Sequence, residues 1–311
     1  MSLLEQLPQS MFEKLSIEPE VMAAIPAYNE DRFIGSVVLK AKQYVDVVVV
    51  IDDGSSDDTA MIAERAGALV IRHDSNGGKG EALNTAFKMA REMGVRSLVL
   101  VDADGQHQPD EIPLVLAQIL DGTADMVVGS RYLEVKSSVP MNRRMGHMAV
   151  TALGNIGSGI FLTDSQNGFR AFSRRAIEVM RFGEAGFSVE SEMQFIAKQH
   201  GLRVREAPIT ITYKDKAKRN VFAHGLWVLN GILRLIGQHR PLLFFGIPGM
   251  MFLFMAAAFG ISVVSIYSDT GQLAIGYALI TVMVGLLGSL SLFTGIILHS
   301  VRALIIREYK K

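Results

Sequence analysis

Two aspartates one residue apart, Asp102 and Asp104, stand where the aliphatic run "LVLV" gives way to "DADGQHQPDE". Where a strand ends the backbone turns, and both carboxylates can then address one spot. Like charges so placed repel and raise each other's pKa unless a cation sits between them. A hard divalent ion, Mg²⁺ or Mn²⁺, would take one carboxylate or both and fill its shell with water and phosphate oxygens. Gln106 can add a carbonyl ligand, and His107 would either suit Mn²⁺ or lie solvated in a polar loop.

Asp-x-Asp alone is a common surface sequence. It gains meaning from the strand that leads into it and from a second acidic strand end, "VVVVIDDGSSDDT". There Gly54 permits a tight turn, Ser55 or Ser56 can cap the next helix, and Asp57 and Asp58 suit its first turn. That leaves Asp52 and Asp53 free to face a ligand such as a ribose or a base. "NGGKGEA" (76–82) is not a Walker loop, because His73 and Gly80 stand where Gly and Ser or Thr are required. Its glycines still allow close backbone approach at a helix start, where Lys79 can meet a nucleotide's negative charge.

The elements that must position these groups alternate regularly. From Val21 to about Tyr213, short β-rich runs ("VMAAIPAY", "DVVVVID", "ALVIRH", "SLVLVDAD", "DMVVGSRY") are separated by amphipathic segments of helical length. Near-continuous aliphatic strands between helices predict an α/β fold with a mostly parallel, Rossmann-like sheet covered on both faces. Right-handed crossovers place all the strand C-termini on one edge, where open α/β sheets bind ligands. Tyr28, Asp52, Asp53, Asp102 and Asp104 are thereby expected on one rim. The polar, basic stretch 134–147 reads as a loop before a helix through "MAVTALGNIGSGIF", and residues 1–20 as a weakly amphipathic extension.

The chain has 311 residues, 31 basic and 31 acidic, so bulk charge gives no case for a nucleic-acid partner. It has no cysteine, which excludes disulfides and thiolate metal sites. Its apolar excess lies in two uncharged runs, Leu242 to Tyr267 and Leu273 to Leu298, each long enough for the roughly 20 helical residues that cross a hydrocarbon core. We expect a two-helix transmembrane anchor over 242–300 and a basic tail over 301–311. The linking loop has no Lys or Arg, whereas Arg234, Arg240, Arg302, Arg307, Lys310 and Lys311 flank the outer ends. The positive-inside rule then puts both termini and the large N-terminal part in the cytoplasm. No basic n-region opens the sequence, so no cleaved signal peptide is expected. Over 223–241, Leu226, Leu229, Leu233 and Ile236 recur at helical spacing beside Trp227, which predicts an amphipathic helix at the membrane interface or, more simply, a helical linker.

Six ordered motifs, "IPAYNE", "VVVVIDDGSSDDT", "GGKGEALNTAF", "LVLVDADGQHQPDEI", "DMVVGSRY" and "TDSQNGFRAFSR", resemble those of the inverting family 2 glycosyltransferases with the GT-A fold. The likeness is to the polyprenyl-phosphate group that includes dolichyl-phosphate mannose synthases, and it covers a domain of about 21–222. It implies a nucleotide-sugar donor, GDP- or UDP-linked, a divalent metal and a polyprenyl or dolichyl phosphate acceptor at the cytoplasmic face of a lipid bilayer. Homo-oligomers are usual in such a group. By motif, Pro26, Tyr28, Glu30, Asp52 or Asp53, Lys79, Asp102 and Ala103 would bind the donor, and Asp102, Asp104 and Gln106 the metal. Ser130, Arg131, Arg143 or Arg144, Gln166 and Arg170 would surround the acceptor phosphate, since arginine suits bidentate phosphate contacts. Asp104, Arg131 and Asp164 would carry the catalytic roles, with Asp164 positioning the acceptor rather than taking a proton. Glu190 and Glu192 would close the site or form a solvated helix face.

The chemistry implied follows from charge. A departing nucleoside diphosphate needs its developing charge neutralised, by the metal and by Lys214, Lys216, Lys218 or Arg219 of "YKDKAKRN". This segment departs from the Gly-Ser-Lys sequence usual in the resembled group, which leaves its phosphate-contacting residue open. A lipid phosphate is already anionic and needs no general base. The expected reaction is transfer of one sugar, mannose or glucose, with UDP-N-acetylglucosamine as the alternative donor. A processive polysaccharide synthase would carry a Gln-x-x-Arg-Trp signature, but the only tryptophan, Trp227, follows Leu226. A membrane-tethered nucleotide-sugar-binding module is the non-enzymatic alternative.

Overall fold

The computed structural model describes residues 19–133, 141–183, 189–211 and 221–308, apart from the side chains at 141–143, 221–229 and 305–308. Residues 1–18 of the expected extension over 1–20, residues 134–140 of the expected loop over 134–147, the Arg143 side chain, Lys214, Lys216, Lys218, Arg219 and the last three residues lie outside that description. The chain divides into two compact units, Met1–Ile232 and Leu233–Lys311.

The described residues of the first unit form seven strands: β1 (Val21–Ala27), β2 (Val47–Asp52), β3 (Leu69–Arg72), β4 (Ser97–Leu100), β5 (Met126–Ser130), β6 (Arg170–Ser173) and β7 (Val204–Pro208). Their order in the sheet is β3-β2-β1-β4-β6-β5-β7. The β3-β2-β1-β4 half is parallel, as the alternation predicts. β6 enters antiparallel between β4 and β5, and β7 pairs parallel with β5. Neither β6 nor β7 was expected: four residues of "RAFS" carry too little periodicity to declare a strand. The sheet is therefore mixed and mostly parallel.

Between the strands lie α1 (Asp31–Ala41), α2 (Thr59–Arg65), α3 (Lys79–Glu92), a 3₁₀ turn (Pro109–Glu111) running into α4 (Ile112–Leu120), α5 (Met141–Ser158), α6 (Arg174–Val179) and α7 (Val189–Gln199). Two apolar clusters form the core. One gathers Phe87 of α3, Leu98 of β4 and Phe172 of β6; the other gathers Ile34 of α1, Val99 of β4, Ile112 of α4 and Phe169. Leu98 and Val99 fall in different clusters because neighbouring residues of a strand face opposite ways. Burial on both sides explains why β4 reads as an unbroken aliphatic run.

The second unit takes in the end of α8 (Val221–His239), a π-helical turn (Leu242–Gly246), α9 (Ile247–Thr270) and α10 (Ile275–Glu308). Leu242–Thr270 and Ile275–Leu304 are long and apolar enough to cross a membrane, each with a mean hydropathy of 2.1 and only 17% of its apolar window buried. Both run a little past the expected ends. Glycines bring the two helices together: a Cβ on Gly249 would meet the Leu292 backbone nitrogen at 2.8 Å, and one on Gly288 the Gly249 carbonyl at 2.9 Å. Ser291 Oγ donates across the pair to the Phe245 carbonyl at 2.7 Å. Close backbone approach through small residues is how helices associate where burial of apolar surface gives no drive.

Candidate active site

β4 stops at Leu100, and the chain turns through Asp102, Ala103 and Asp104 with Gly105 at φ +67°. Asp102 Oδ1 accepts from Lys79 Nζ at 2.8 Å, and the same ammonium lies 2.7 Å from Glu190 Oε1. Asp102 Oδ2 is 3.5 Å from His107 Nδ1. Burial disfavours the charge on Asp102, yet Lys79, His107 and Arg170 outweigh it and bring the carboxyl down to about 2. Asp104 has weaker company. It accepts from the Gln106 backbone N–H at 3.0 Å and from Gln106 Nε2 at 2.8 Å, both neutral donors. Burial and the adjacent Asp102 carboxylate push its pKa up.

Lys79 opens α3 directly after Gly78, which adopts φ +86°. Burial works against its charge, but Asp102 and Glu190 hold its pKa well above the ordinary lysine value. Lys79, Asp102 and Glu190 line a narrow crevice with Pro26, Leu83 and Gly168. Asp102 and Glu190 thus share one ammonium, and with Asp104 two residues on from Asp102 the carboxylates carry a surplus of negative charge that suits a hard cation. Among the described residues, no group of three or more His, Asp or Glu could hold an ion alone. Asp102 and Asp104 fit an ion that draws the rest of its shell from water and a ligand's phosphates, as Mg²⁺ commonly does. In this structure Gln106 offers its amide nitrogen to Asp104 rather than its carbonyl to that spot.

The second acidic strand end has a different fate from the one expected. Asp52 is fully buried, accepts from the Ser55 N–H at 3.0 Å and pairs with Arg72 Nε at 3.2 Å. Asp53 accepts from His73 Nδ1 at 2.8 Å and from the N–H groups of Gly77 at 3.0 Å and Gly78 at 2.8 Å. Neither is left free for a ligand: Asp52 is tied to the turn after β2 and to Arg72, and Asp53 holds the glycine loop that delivers Lys79. The capping expectation shifts as well, because the Thr59 N–H bonds Asp57 Oδ1 at 3.0 Å while Ser55 Oγ accepts from the Asn29 N–H at 2.9 Å. Asn29, at φ +54°, accepts in turn at Oδ1 from the Ser56 N–H at 2.9 Å. These bonds staple the loop carrying Tyr28 and Glu30 to the rim. Tyr28 is exposed there, while Ala103 is buried.

On the other side of the crevice, two expected phosphate ligands are engaged within the protein. Arg131 forms a buried fork with Asp164, Nε to Oδ2 and Nη2 to Oδ1, both at 2.6 Å. Asp164 also accepts from the Arg131 N–H at 3.1 Å, so a carboxylate tied this way is a strut and no free base. Arg170 is the largest fully buried side chain among the described residues. It donates to the carbonyls of Asn167 at 2.8 Å and Glu190 at 3.0 Å, and burial pulls its pKa down. It is thus no open anion receptor but the pin that joins "SQNGFR" to α7. Gln166 donates to the hydroxyls of Ser165 at 3.1 Å and Ser191 at 2.9 Å, and Ser130 Oγ meets Thr163 Oγ1 at 2.6 Å. Arg144 is exposed, with its guanidinium 5.8 Å from the centre of the Tyr132 ring. It lies in the second turn of α5, not in a loop, because the helix begins at Met141.

Several residues shape the crevice in ways that the sequence reading did not give them. A Cβ on Gly168 would lie 2.5 and 2.8 Å from the two carboxylate oxygens of Asp102, so only glycine lets this backbone lie against the acid. Glu190 and Glu192 are buried rather than on a solvated face, and Glu192 accepts from the Gly183 N–H at 2.8 Å. His107 is buried as well, its Nε2 3.0 Å from Asn167 Oδ1, and it lies neither solvated nor open to an ion. Glu206 of β7 holds the 163–164 turn by accepting from Thr163 N–H at 2.8 Å and Asp164 N–H at 3.2 Å. Only the buried pattern of α7 could have hinted at these contacts, and a lone glycine gives no hint.

Comparison with known proteins agrees with this architecture. The model for "Glycosyl transferase family 2" matches residues 23–181. The UDP-N-acetylglucosamine–dolichyl-phosphate N-acetylglucosaminyltransferase of Methanococcus voltae is 33% identical over 213 residues, covering 61% of this chain and 85% of that protein. The undecaprenyl-phosphate mannosyltransferase of Micrococcus luteus is 32% identical over 207 residues, 63% and 84% of the two chains. In fold the chain is similar to the glucosyl-3-phosphoglycerate synthase of Mycobacterium tuberculosis, solved with Mn²⁺, uridine diphosphate and phosphoglyceric acid. The TM-score is 0.57 at 20% identity, over 70% of this chain and 79% of that one. A GT-A-like sheet ending in an acidic crevice, the family match and relatives above 30% identity give one conclusion: the chain is a glycosyltransferase and belongs to glycosyl transferase family 2.

Proposed function

We propose that this enzyme transfers a single hexose, mannose or glucose, from a GDP- or UDP-linked donor to a polyprenyl phosphate at the cytoplasmic face of a membrane. The Asp102–Asp104 pair at the end of β4, with Lys79 bridging Asp102 to Glu190, is the observation that carries this reading. The sugars and lipid phosphates in the names of the Methanococcus voltae and Micrococcus luteus enzymes support it. The former favours UDP-N-acetylglucosamine as the second reading for the donor. The two apolar helices and the arginines flanking them support a membrane anchor with both termini cytoplasmic.

Asp102 and Asp104 would hold Mg²⁺ or Mn²⁺, which supplies neutralisation of the charge that develops on the departing nucleoside diphosphate. Lys79, locked at a helix N-terminus, adds a fixed positive charge on the donor side. Tyr28 and Glu30, held by the Asn29–Ser55 staple, border the nucleoside end. The acceptor phosphate is anionic and attacks the anomeric carbon as the bond to the diphosphate oxygen breaks, inverting the centre and leaving no proton to remove. That chemistry is compatible with Asp164 being committed to Arg131.

The test incubates the purified full-length enzyme with Mn²⁺ or Mg²⁺, a short polyprenyl phosphate and a panel of labelled nucleotide sugars, followed by lipid extraction. One labelled glycolipid is expected, lost with chelator and in Asp104→Ala. An equal yield from the alanine variant would remove the acid pair from the mechanism, and no glycolipid from any donor would refute the lipid acceptor.

A further inference from the structure

α5 (Met141–Ser158) is inside out. Beyond its basic first turns, polar side chains face the protein: Thr151 Oγ1 lies 3.0 Å from Ser165 Oγ, Asn155 Nδ2 donates to the Leu162 carbonyl at 2.8 Å, and Gln194 Nε2 donates to Asn155 Oδ1 at 2.9 Å. Its apolar residues face out. Met145 is 67% exposed, Met148 55% and Ile156 55%, with Ala152 also exposed, and Phe161 just beyond the helix is 81% exposed. Spacings of three and four put Met145, Met148, Ala152 and Ile156 on one stripe about eighty degrees wide. α3 shows the usual arrangement, with Leu83, Phe87 and Ala90 buried and Glu81 and Lys88 at the surface.

A helix that turns hydroxyls and amides inward and methionines outward is patterned for an apolar medium on its outer side. We infer that this stripe of α5 lies in the interface of a lipid bilayer. Among the described residues the stripe is an open helix face, with Met145, Met148 and Ile156 each more than half exposed, which an extended lipid surface fits better than one isoprenoid. Its charge fits too: Arg144 is exposed in the second turn and stacks near Tyr132, whose hydroxyl lies 3.1 Å from His147 Nδ1, so the basic end of the stripe suits anionic headgroups. The same chain carries two helices able to span that bilayer. In purpose the inference rests on the proposed function, since docking here would present the acceptor's headgroup to the catalytic unit.

The chain has no cysteine, so single labels can be placed in the full-length enzyme without background. Met148→Cys and Ile156→Cys, and Leu120→Cys on α4 as an exposed control, carry an environment-sensitive fluorophore in vesicles of neutral and anionic lipid. Nitroxide on the acyl chains is expected to quench labels 148 and 156 roughly threefold more than label 120, while aqueous iodide reaches only label 120. Iodide access equal to that of label 120 overturns the inference. So does shielding from both quenchers, which would indicate a second copy over the stripe, and so does lipid quenching that appears only when polyprenyl phosphate is added, which would make it an acceptor subsite. The readout needs no turnover and should persist in Asp104→Ala, so lipid quenching without transfer in the donor panel would sink the proposed reaction and leave the docking surface standing.

Discussion

Asp125 and Asp104 belong to the same sheet and to opposite borders of it. Asp125 precedes β5, and Asp104 follows β4, which runs the same way because both strands are antiparallel to β6. Asp125 accepts from Arg203 Nε at 3.0 Å, Arg203 Nη2 at 3.1 Å, the Arg203 N–H at 2.9 Å and Arg175 Nη1 at 3.2 Å. These bonds, the Arg203 side chain first, bring its carboxyl down to about 2. Asp104 has an amide for a partner and a carboxylate for a neighbour, and its pKa moves the other way. An acid that only holds the fold together is given its cations by the fold. The acid at the rim is left short of them, and that shortage is what a metal and a phosphate-bearing donor would relieve.

The largest test of this contrast is Asp104→Ala, which should lower turnover about a thousandfold while the melting temperature holds or rises, because a strained buried charge is removed. A matching loss of stability would make Asp104 structural like Asp125. Next is Asp164→Asn, which breaks a saturated buried pair inside the rim. We expect destabilisation of about 3 kcal/mol, with the folded fraction keeping activity within about tenfold. Thermal melts and kcat on the same sample decide it, and a folded but dead variant would give Asp164 a direct part in the reaction. Gly168→Ala drives a methyl against the Asp102 carboxylate, and the affinity for Mn²⁺ measured by calorimetry should fall about tenfold to a hundredfold at nearly unchanged stability.

The smallest effect belongs to Asp125 itself. Its carboxyl is depressed in the folded state, so its contribution is present above the ordinary carboxylate pKa and is lost as the pH falls toward 2. With both arginines about half exposed, water screening limits it to about 1 to 2 kcal/mol. Denaturant titrations of Asp125→Ala and the parent should differ by that amount at pH 7 and converge near pH 2. A gap that persists in acid would mean that packing, and not the ion pairs, carries the effect.

Five strands, the mostly parallel sheet, the acidic rim and the two apolar helices were legible in the amino-acid sequence, because aliphatic runs and residue spacing are local properties. β6 and β7 were not, since neither "RAFS" nor "VREAP" is an aliphatic run and each owes its existence to the strands it pairs with. The arginines were misjudged for a related reason. "SQNGFR" marks Arg170 as important, but whether a guanidinium faces a ligand or a ring of carbonyls depends on what packs over it, here α7.

What the sequence determined by itself is which chemistry is present: two carboxylates at a strand end, a glycine loop carrying one lysine, and helices fit for a bilayer. What only the tertiary structure decided is which charged groups neutralise one another. Asp53 went to the glycine loop, Asp164 to Arg131, Glu190 to Lys79, and Asp104 was left with an amide. Electrostatic pairing acts over a few ångströms in space, and residues 111 positions apart, such as Lys79 and Glu190, meet only when the sheet brings their loops to one edge.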